Sequence, residues 1–147
     1  MAQIKESIEI KHPVDKVFAY TTDAKNWPKW QSFIPEAQQT SQGPVNIGTT
    51  FKGVSRMMGR SMEWTAIVTE YESDKRWGKK ITSGRMAIEE HMTYNPVEGG
   101  TVFTIDYDIK AGGFLTLLSP VMAGSMRKET AKSLGNLKGI LEAWSQK

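Results

Sequence analysis

The spacing of apolar residues changes from a strand-like to a helical pattern within the first thirty positions of the chain. Apolar and polar residues alternate over Ile4–Ile10, and this period of two predicts a half-buried β-strand. Over Pro13–Thr21 the apolar residues recur at helical spacing, and Pro13 suits the first helical position because no hydrogen bond is lost there. Asp23 suits the N-cap of a second short helix, which we expect Pro28 to end or kink.

Strand-like alternation returns after residue 48 and continues to residue 110. Short turn signals interrupt it, so that it predicts strands at Thr49–Arg56, Ser61–Ser73, Trp77–Ser83, Arg85–Tyr94 and Thr101–Lys110. Strands joined by such short connections lie antiparallel to one another. We expect Ile4–Lys11 to pair with Thr101–Lys110 or with its neighbour, because both segments alternate and each has an apolar face to bury.

The last segment of the chain predicts one long amphipathic helix. Ser119 and Pro120 suit its N-cap and its first residue. Three- and four-residue spacing gives this helix an apolar stripe of Met122, Met126, Thr130, Leu134, Leu137, Leu141 and Trp144. The sequence therefore predicts a single α+β domain over residues 1–147. In it a curved antiparallel sheet of about seven strands wraps around the C-terminal helix, and two short helices follow the first strand.

A sheet of this size has more apolar surface than one helix can cover. Bulky residues near the end of the helix can cover the sheet closely. The beginning of the helix cannot, because small residues stand at Gly113, Ala123, Gly124 and Ser125. We therefore expect an internal gap lined by apolar and aromatic side chains, which is the general form of a small-molecule site. A ligand would enter beside Gly112–Gly113 and the first helical turns, Pro120–Met126.

Composition narrows the functional classes. Of the 147 residues, 39% are hydrophobic and 24% are charged, as in ordinary soluble globular domains. The absence of cysteine excludes disulfides and thiolate chemistry, and no export signal precedes the first strand. These features predict a cytoplasmic protein that is a monomer or a weak dimer.

The net charge of +3 does not indicate nucleic-acid binding, because the basic residues are spread along the chain rather than clustered. Their densest run is Lys75–Lys80, which we interpret as a solvated hairpin. The alternative for this run is an electrostatic patch that makes transient contact with an anionic membrane surface or a phosphorylated ligand.

Several features together resemble the START/Bet v 1-like (SRPBCC) superfamily, and within it the polyketide cyclase/dehydrase and lipid-transport group. They stand at Ile10–Phe18, Asp23, Trp27, Pro28, Trp30, Val68–Glu72 and Leu134–Lys138. The resemblance covers essentially the whole chain and implies a helix-grip fold with a deep hydrophobic cavity. It does not identify a substrate, because members of the superfamily include lipid carriers, hormone-binding proteins, cyclases and chaperone-associated domains.

Glu90 is the most unusual carboxylate in the strand pattern, because it falls among apolar residues. It shares a face with Met86, Ile88 and Met92, so it points into the interior if the register holds. Burial of a carboxylate is costly unless it is paired, and it favours the protonated form. Glu90 is therefore our candidate catalytic acid/base or ligand-orienting group. The alternatives are a bulge that turns it outward or a structural pair with an arginine such as Arg56.

Other kinds of catalytic site find no support in the sequence. His12 and His91 are far apart and belong to no metal-binding motif, so we expect no metal site. There is no glycine-rich phosphate loop, and Ser61 and Ser83 have no nearby histidine–aspartate pairing. We therefore expect no cofactor.

We expect the ligand to be a small hydrophobic molecule held between the curved sheet and the last helix. Its predicted contacts are Phe51, Trp64, Met86, Ile88, Phe103, Tyr107, Met122 and Met126, with Glu90 and the Tyr107 hydroxyl as polar groups that orient it. Methionine suits such a lining because its unbranched side chain adapts to irregular surfaces, although ordinary core filling also explains it. Trp27 and Trp30 are interpreted as structural residues at the joint between the short helices.

Three functions remain open from the sequence. The first is a carrier of a small lipid-like or polyketide-like ligand. The second is an enzyme of the cyclase or dehydratase type that uses Glu90 as its acid/base. The third is a protein-interaction module of the same fold, such as a chaperone regulator or a ribosome binder, which a filled interior would favour.

Overall fold

An antiparallel sheet and the long helix that closes the chain form most of the structure, a computed structural model that describes residues 2–57, 59–84, 86–111 and 120–145. The strands are β1 (Ala2–Ile10), β2 (Glu36–Gln39), β3 (Thr50–Met57), β4 (Arg60–Glu72), β5 (Arg76–Ser83), β6 (Met86–Val97) and β7 (Gly100–Ala111). The helices are α1 (Val14–Thr22), α2 (Trp27–Trp30) and α3 (Pro120–Ser145), with a 3₁₀ turn at Ala24–Asn26 between the first two.

The seven strands form one curved sheet in the order β1-β7-β6-β5-β4-β3-β2. All neighbours are antiparallel, and β1 pairs with β7, so that Ile4 lies opposite Tyr107 and Ile8 opposite Phe103. The register between β4 and β5 shifts at Val68/Glu70. The predicted α+β architecture and the pairing of the first strand with Thr101–Lys110 are confirmed.

The short helices depart from the sequence prediction in two details, the element that Asp23 caps and the role of Pro28. Asp23 caps the 3₁₀ turn, and its carboxylate accepts a hydrogen bond from the Lys25 amide at 3.1 Å. Pro28 does not end the next helix but is its second residue. The missing proline N–H costs nothing at that position, because the first amides of a helix have no partner within the helix.

β2 is a strand that the sequence did not predict. Its four residues, Glu36–Gln39, contain one apolar residue and give no alternation to detect. It forms because β3 offers a free edge, along which Ala37 lies opposite Gly53. Pairing with β3, rather than local β-propensity, therefore determines that these residues form a strand.

Helix α3 supplies Leu134, Leu137 and Leu141 to the same core as the inward-facing residues of the sheet. Side chains of α3 also bind β1 and the residue that follows it: Lys138 donates to the Glu9 carbonyl at 2.9 Å, and Glu142 accepts from the Lys11 amide at 2.9 Å. Several predictions fall outside the described residues, namely those on Gly112–Gly113, Ser119 and the side chains of Met122 and Trp144.

Gly53 is required where β2, β3 and β4 pass one another. A Cβ built on Gly53 would lie 2.8 Å from Cε2 of Trp64, and closer still to the Glu36 carbonyl oxygen. The Trp64 ring from β4 therefore lies over the glycine of the neighbouring strand. Gly124 in α3 differs, because a Cβ there would meet nothing within 4 Å.

We predict opposite effects for the same substitution at these two glycines. Gly53→Ala should lower the free energy of unfolding by about 1–3 kcal/mol, because the methyl group overfills the contact with Trp64. Gly124→Ala should raise it by up to ~1 kcal/mol, since alanine is the better helix former. Urea denaturation measures both. A Gly53→Ala protein as stable as the wild type would mean that Trp64 does not lie over Gly53.

Candidate functional site

A cavity of about 440 Å³ opens between the inner face of the sheet and helices α2 and α3. This volume is within the roughly 300–1,000 Å³ typical of small-molecule sites. Its apolar lining comes from Trp27, Phe33, Ile34, Met62, Trp64, Ile81, Met86, Ile88 and Met126. Its polar lining comes from Gln31, Ser55, Arg60, Lys79, Ser83, Glu90, Tyr107, Glu129 and Thr130.

Most of the residues predicted to contact a ligand lie together in this lining. They are Trp64, Met86, Ile88, Glu90, Tyr107 and Met126, contributed by β4, β6, β7 and α3. The side chain of Met122 lies outside the described residues. The strand pattern brings these residues together because they occupy inward positions on strands that face the beginning of the described part of α3.

Phe51 and Phe103 are buried but do not line the cavity. Phe51 lies with its ring centroid 4.8 Å from that of Trp27. Phe103 packs between Trp30, at 6.0 Å, and Tyr94, at 5.0 Å. Both residues point inward, as their strand positions predict, but aromatic side chains fill the space around them. The position of a residue along a strand predicts which face of the sheet its side chain lies on. It does not predict which part of that face other side chains cover.

Three polar side chains form a row across the inner face of the sheet. Lys79 on β5 lies opposite Glu90 on β6, and Glu90 lies opposite Tyr107 on β7. The Lys79 ammonium forms an ion pair with Glu90 Oε1, and each side chain is only 5% exposed. The Tyr107 hydroxyl hydrogen-bonds to the same carboxylate. Glu90 is thus inward-facing and paired, and its partner is a lysine rather than the arginine considered from the sequence.

Lys79 corrects the interpretation of residues 75–80 as a wholly solvated hairpin. Lys75 and Arg76 do pair with Glu72 at the surface, at 3.4 and 3.2 Å. Lys79 instead points inward, because it shares strand parity with Trp77 and Ile81. The alternation of Trp77, Lys79 and Ile81 was visible in the sequence. The surrounding basic residues nevertheless favoured the interpretation as an exposed hairpin.

Two aromatic rings hold the Lys79 ammonium in addition to the carboxylate. Its Nζ atom lies 4.2 Å from the Trp27 ring centroid and 4.4 Å from that of Trp77. A cation placed over an aromatic face is attracted by the ring quadrupole, more strongly where water is excluded. The aromatic faces and the carboxylate together offset the cost of removing an ammonium from water.

Burial also raises the pKa values of two tyrosine hydroxyls in the interior. Burial raises the pKa of Tyr107 well above its usual value, and the adjacent Glu90 carboxylate adds to the effect by repelling a phenolate. Burial likewise raises the pKa of Tyr94, whose hydroxyl contacts Thr21 Oγ1 at 2.6 Å and accepts from Trp77 Nε1 at 3.0 Å. Both phenols are therefore neutral hydrogen-bonding groups under ordinary conditions.

The fold and the cavity together define a helix-grip domain with a hydrophobic ligand-binding scaffold. Residues 1–142 match the family described as polyketide cyclase/dehydrase and lipid transport. The chain belongs to this family, which confirms the resemblance drawn from the sequence. No curated protein matches the chain.

Solved structures with the same fold are distant in sequence. The protein TTHA0849 from Thermus thermophilus is 16% identical, with a TM-score of 0.82 over 98% of this chain and 99% of that one. A START superfamily protein from Mycobacterium smegmatis is 12% identical, with a TM-score of 0.81 over 97% and 98%. Ara h 8.0201 is 13% identical, with a TM-score of 0.74 over 97% and 98%. At these identities the likeness establishes the fold alone.

The described part of the chain offers neither a metal site nor a membrane-spanning helix. It contains no cluster of three or more histidine, aspartate or glutamate side chains arranged to hold a metal ion. Within the same residues, no helix has the length and apolar character needed to cross a membrane.

We predict that the ion pair behaves as a unit in a double-mutant cycle. Lys79→Met and Glu90→Gln should each lower the free energy of unfolding by about 3–5 kcal/mol, because each leaves one buried charge without its partner. The double variant should be more stable than either single variant, since it contains neither charge. Additive losses, measured by urea denaturation, would show that the two side chains do not interact.

We predict that the stability of the protein falls as the pH rises above about 10, the usual tyrosine pKa. The raised pKa of Tyr107 means that the folded state keeps a proton that the unfolded state releases, so the stabilisation present below that pH is progressively lost above it. Tyr107→Phe should lose less stability between pH ~9 and pH ~11. Because lysines titrate in the same range, this comparison isolates the tyrosine. Equal losses in the two proteins would contradict the assignment.

Proposed function

We propose that this protein binds and carries a small hydrophobic ligand in the internal cavity. The observation that supports the proposal most directly is the cavity of about 440 Å³, whose walls between the sheet and the described part of α3 are largely apolar. A ligand there removes apolar surface from water, which contributes roughly 25 cal/mol for each Å² buried. Lys79, Glu90 and Tyr107 would orient it.

The contrast between lining and core residues on the same strands supports this proposal. Ile88 lies directly opposite Ile109 in the sheet, yet Ile109 is 1% exposed whereas Ile88 is only half-buried. On β6, Met86 is likewise half-buried whereas Met92 is 1% exposed. Apolar side chains of the same type are therefore fully buried in one part of the inner face and only partly buried in the other. An unfilled interior of this kind favours ligand binding over a purely surface function.

A cyclase or dehydratase that uses Glu90 is the second candidate. A carboxylate and a phenol hydroxyl stand side by side in the cavity wall, which is an arrangement suited to proton transfer. Glu90 would be the acid/base of such an enzyme, with Lys79 and Tyr107 as the groups that position its carboxylate. Conversion of a bound ligand by the wild-type protein but not by Lys79→Met/Glu90→Gln would favour this function over carriage alone.

We predict that filling the cavity abolishes binding of an apolar probe. N-phenyl-1-naphthylamine, a neutral dye that brightens in apolar surroundings, should bind the wild-type protein. Ile88→Trp places a larger side chain in the lining and should lower its affinity by about tenfold or more, since a blocked site loses more than one contact. Fluorescence titration measures this affinity.

Ile67→Trp is the matched control for this experiment. Ile67 is 44% exposed on the outer face of the sheet, so the same substitution there should leave the dye affinity unchanged. Equal loss in the two variants, or no binding of the dye to the wild-type protein, would contradict the proposed function.

A further inference from the structure

The polar groups at the Trp27 end of the cavity are incompletely paired. Gln31 follows α2 directly, is 2% exposed and lines the cavity, and the Trp64 indole N–H, whose ring centroid lies 6.4 Å from that of Trp27, is buried without a hydrogen-bond partner among the described residues. Lys79 lies over the Trp27 ring, and among the described residues Glu90 is its only ion-pair partner. An ammonium has three N–H donors, so Lys79 retains donors that no described acceptor uses.

The Glu90 carboxylate in the same wall already faces two polar partners. The Glu90 carboxylate receives both the Lys79 ammonium and the Tyr107 hydroxyl. At the Trp27 end, the wall therefore offers a ligand the N–H donors of Lys79 and Trp64, together with the Gln31 amide. Buried polar groups without partners are costly, and a ligand atom that accepts these hydrogen bonds removes the cost.

The charges that line the cavity balance one another. Among the described lining residues, Arg60 and Lys79 are cationic, and Glu90 and Glu129 are anionic. A ligand carboxylate placed near Lys79 would meet the Glu90 carboxylate at close range, and like charges in a site that excludes water repel strongly. A ligand cation would meet Lys79 in the same way. The balance favours a neutral ligand.

We propose that the cavity selects a neutral, mostly hydrocarbon molecule that carries a carbonyl-type oxygen acceptor, held at the Trp27 end by Lys79 and Gln31. This inference rests on the proposed function and specifies the chemical class of its ligand. The hydrocarbon part lies toward Met86, Ile88 and Met126. A pure hydrocarbon leaves the donors unpaired, and an anion confronts Glu90.

Three probes of nearly the same shape test the ligand class on the wild-type protein. They are 2-acetylnaphthalene, its isosteric hydrocarbon 2-isopropenylnaphthalene, and the anion 2-naphthoate. Each competes with N-phenyl-1-naphthylamine in a fluorescence displacement titration at neutral pH. The ketone should bind about tenfold more tightly than the other two, the factor that one hydrogen bond of ordinary strength supplies.

Two variants test whether Lys79 and Gln31 cause the preference for the ketone. Gln31→Leu removes the amide at similar volume and should weaken binding of the ketone while leaving that of the hydrocarbon unchanged or slightly tighter. Lys79→Met/Glu90→Gln should have the same effect. Because Gln31→Leu removes no charge, it keeps the test available if the double variant does not fold.

The outcomes separate this proposal from the proposed function. Equal binding of ketone and hydrocarbon, tightest binding of the naphthoate, or failure of all three to displace a bound dye would each overturn the ligand class and leave cavity binding intact. Failure of the dye itself to bind would overturn the proposed function as well. A ketone preference that persists in both variants would overturn the roles of Lys79 and Gln31.

Discussion

One long helix has to cover the inner face of a seven-stranded sheet, and this mismatch determines the interior of the protein. Leu134, Leu137 and Leu141 of α3 meet the sheet where it also receives the aromatic side chains of the short helices, and that region is filled. Farther along the sheet the same inward alternation continues, but there the described residues leave Met86 and Ile88 only half-buried. The cavity is therefore a consequence of sheet size and curvature rather than of any special local sequence.

The buried ion pair makes this space chemically specific. An apolar cavity alone distinguishes ligands by shape, and a single methylene changes affinity by only ~1–3 kcal/mol. Lys79, held between Glu90 and the rings of Trp27 and Trp77, fixes a polar group at one end of the cavity. The pair is neutral as a whole, so it adds hydrogen-bonding direction without attracting a charged ligand. It also makes the site sensitive to any change that removes one partner alone.

The alternation of residues predicted which side chains face inward, and this was enough to locate Glu90 and the strand order from β3 to β7. It could not predict β2, whose pairing depends on the free edge of β3. It could not separate Phe103, which the short helices cover, from Ile88, which they leave open, because coverage depends on the assembled fold. The inward position of Lys79 was readable from its neighbours Trp77 and Ile81, but its place in a basic run favoured the wrong interpretation.

Methyl resonances of the methionines test the central claim, that ligands occupy the space under the partly covered sheet. Met62, Met86 and Met126 line the cavity, whereas Met92 is buried in the filled part of the core. With the methionine methyl groups labelled, saturation with N-phenyl-1-naphthylamine should shift the three lining resonances and leave that of Met92 in place. A shift of Met92 as large as theirs, or unchanged lining resonances with bound dye, would contradict this account.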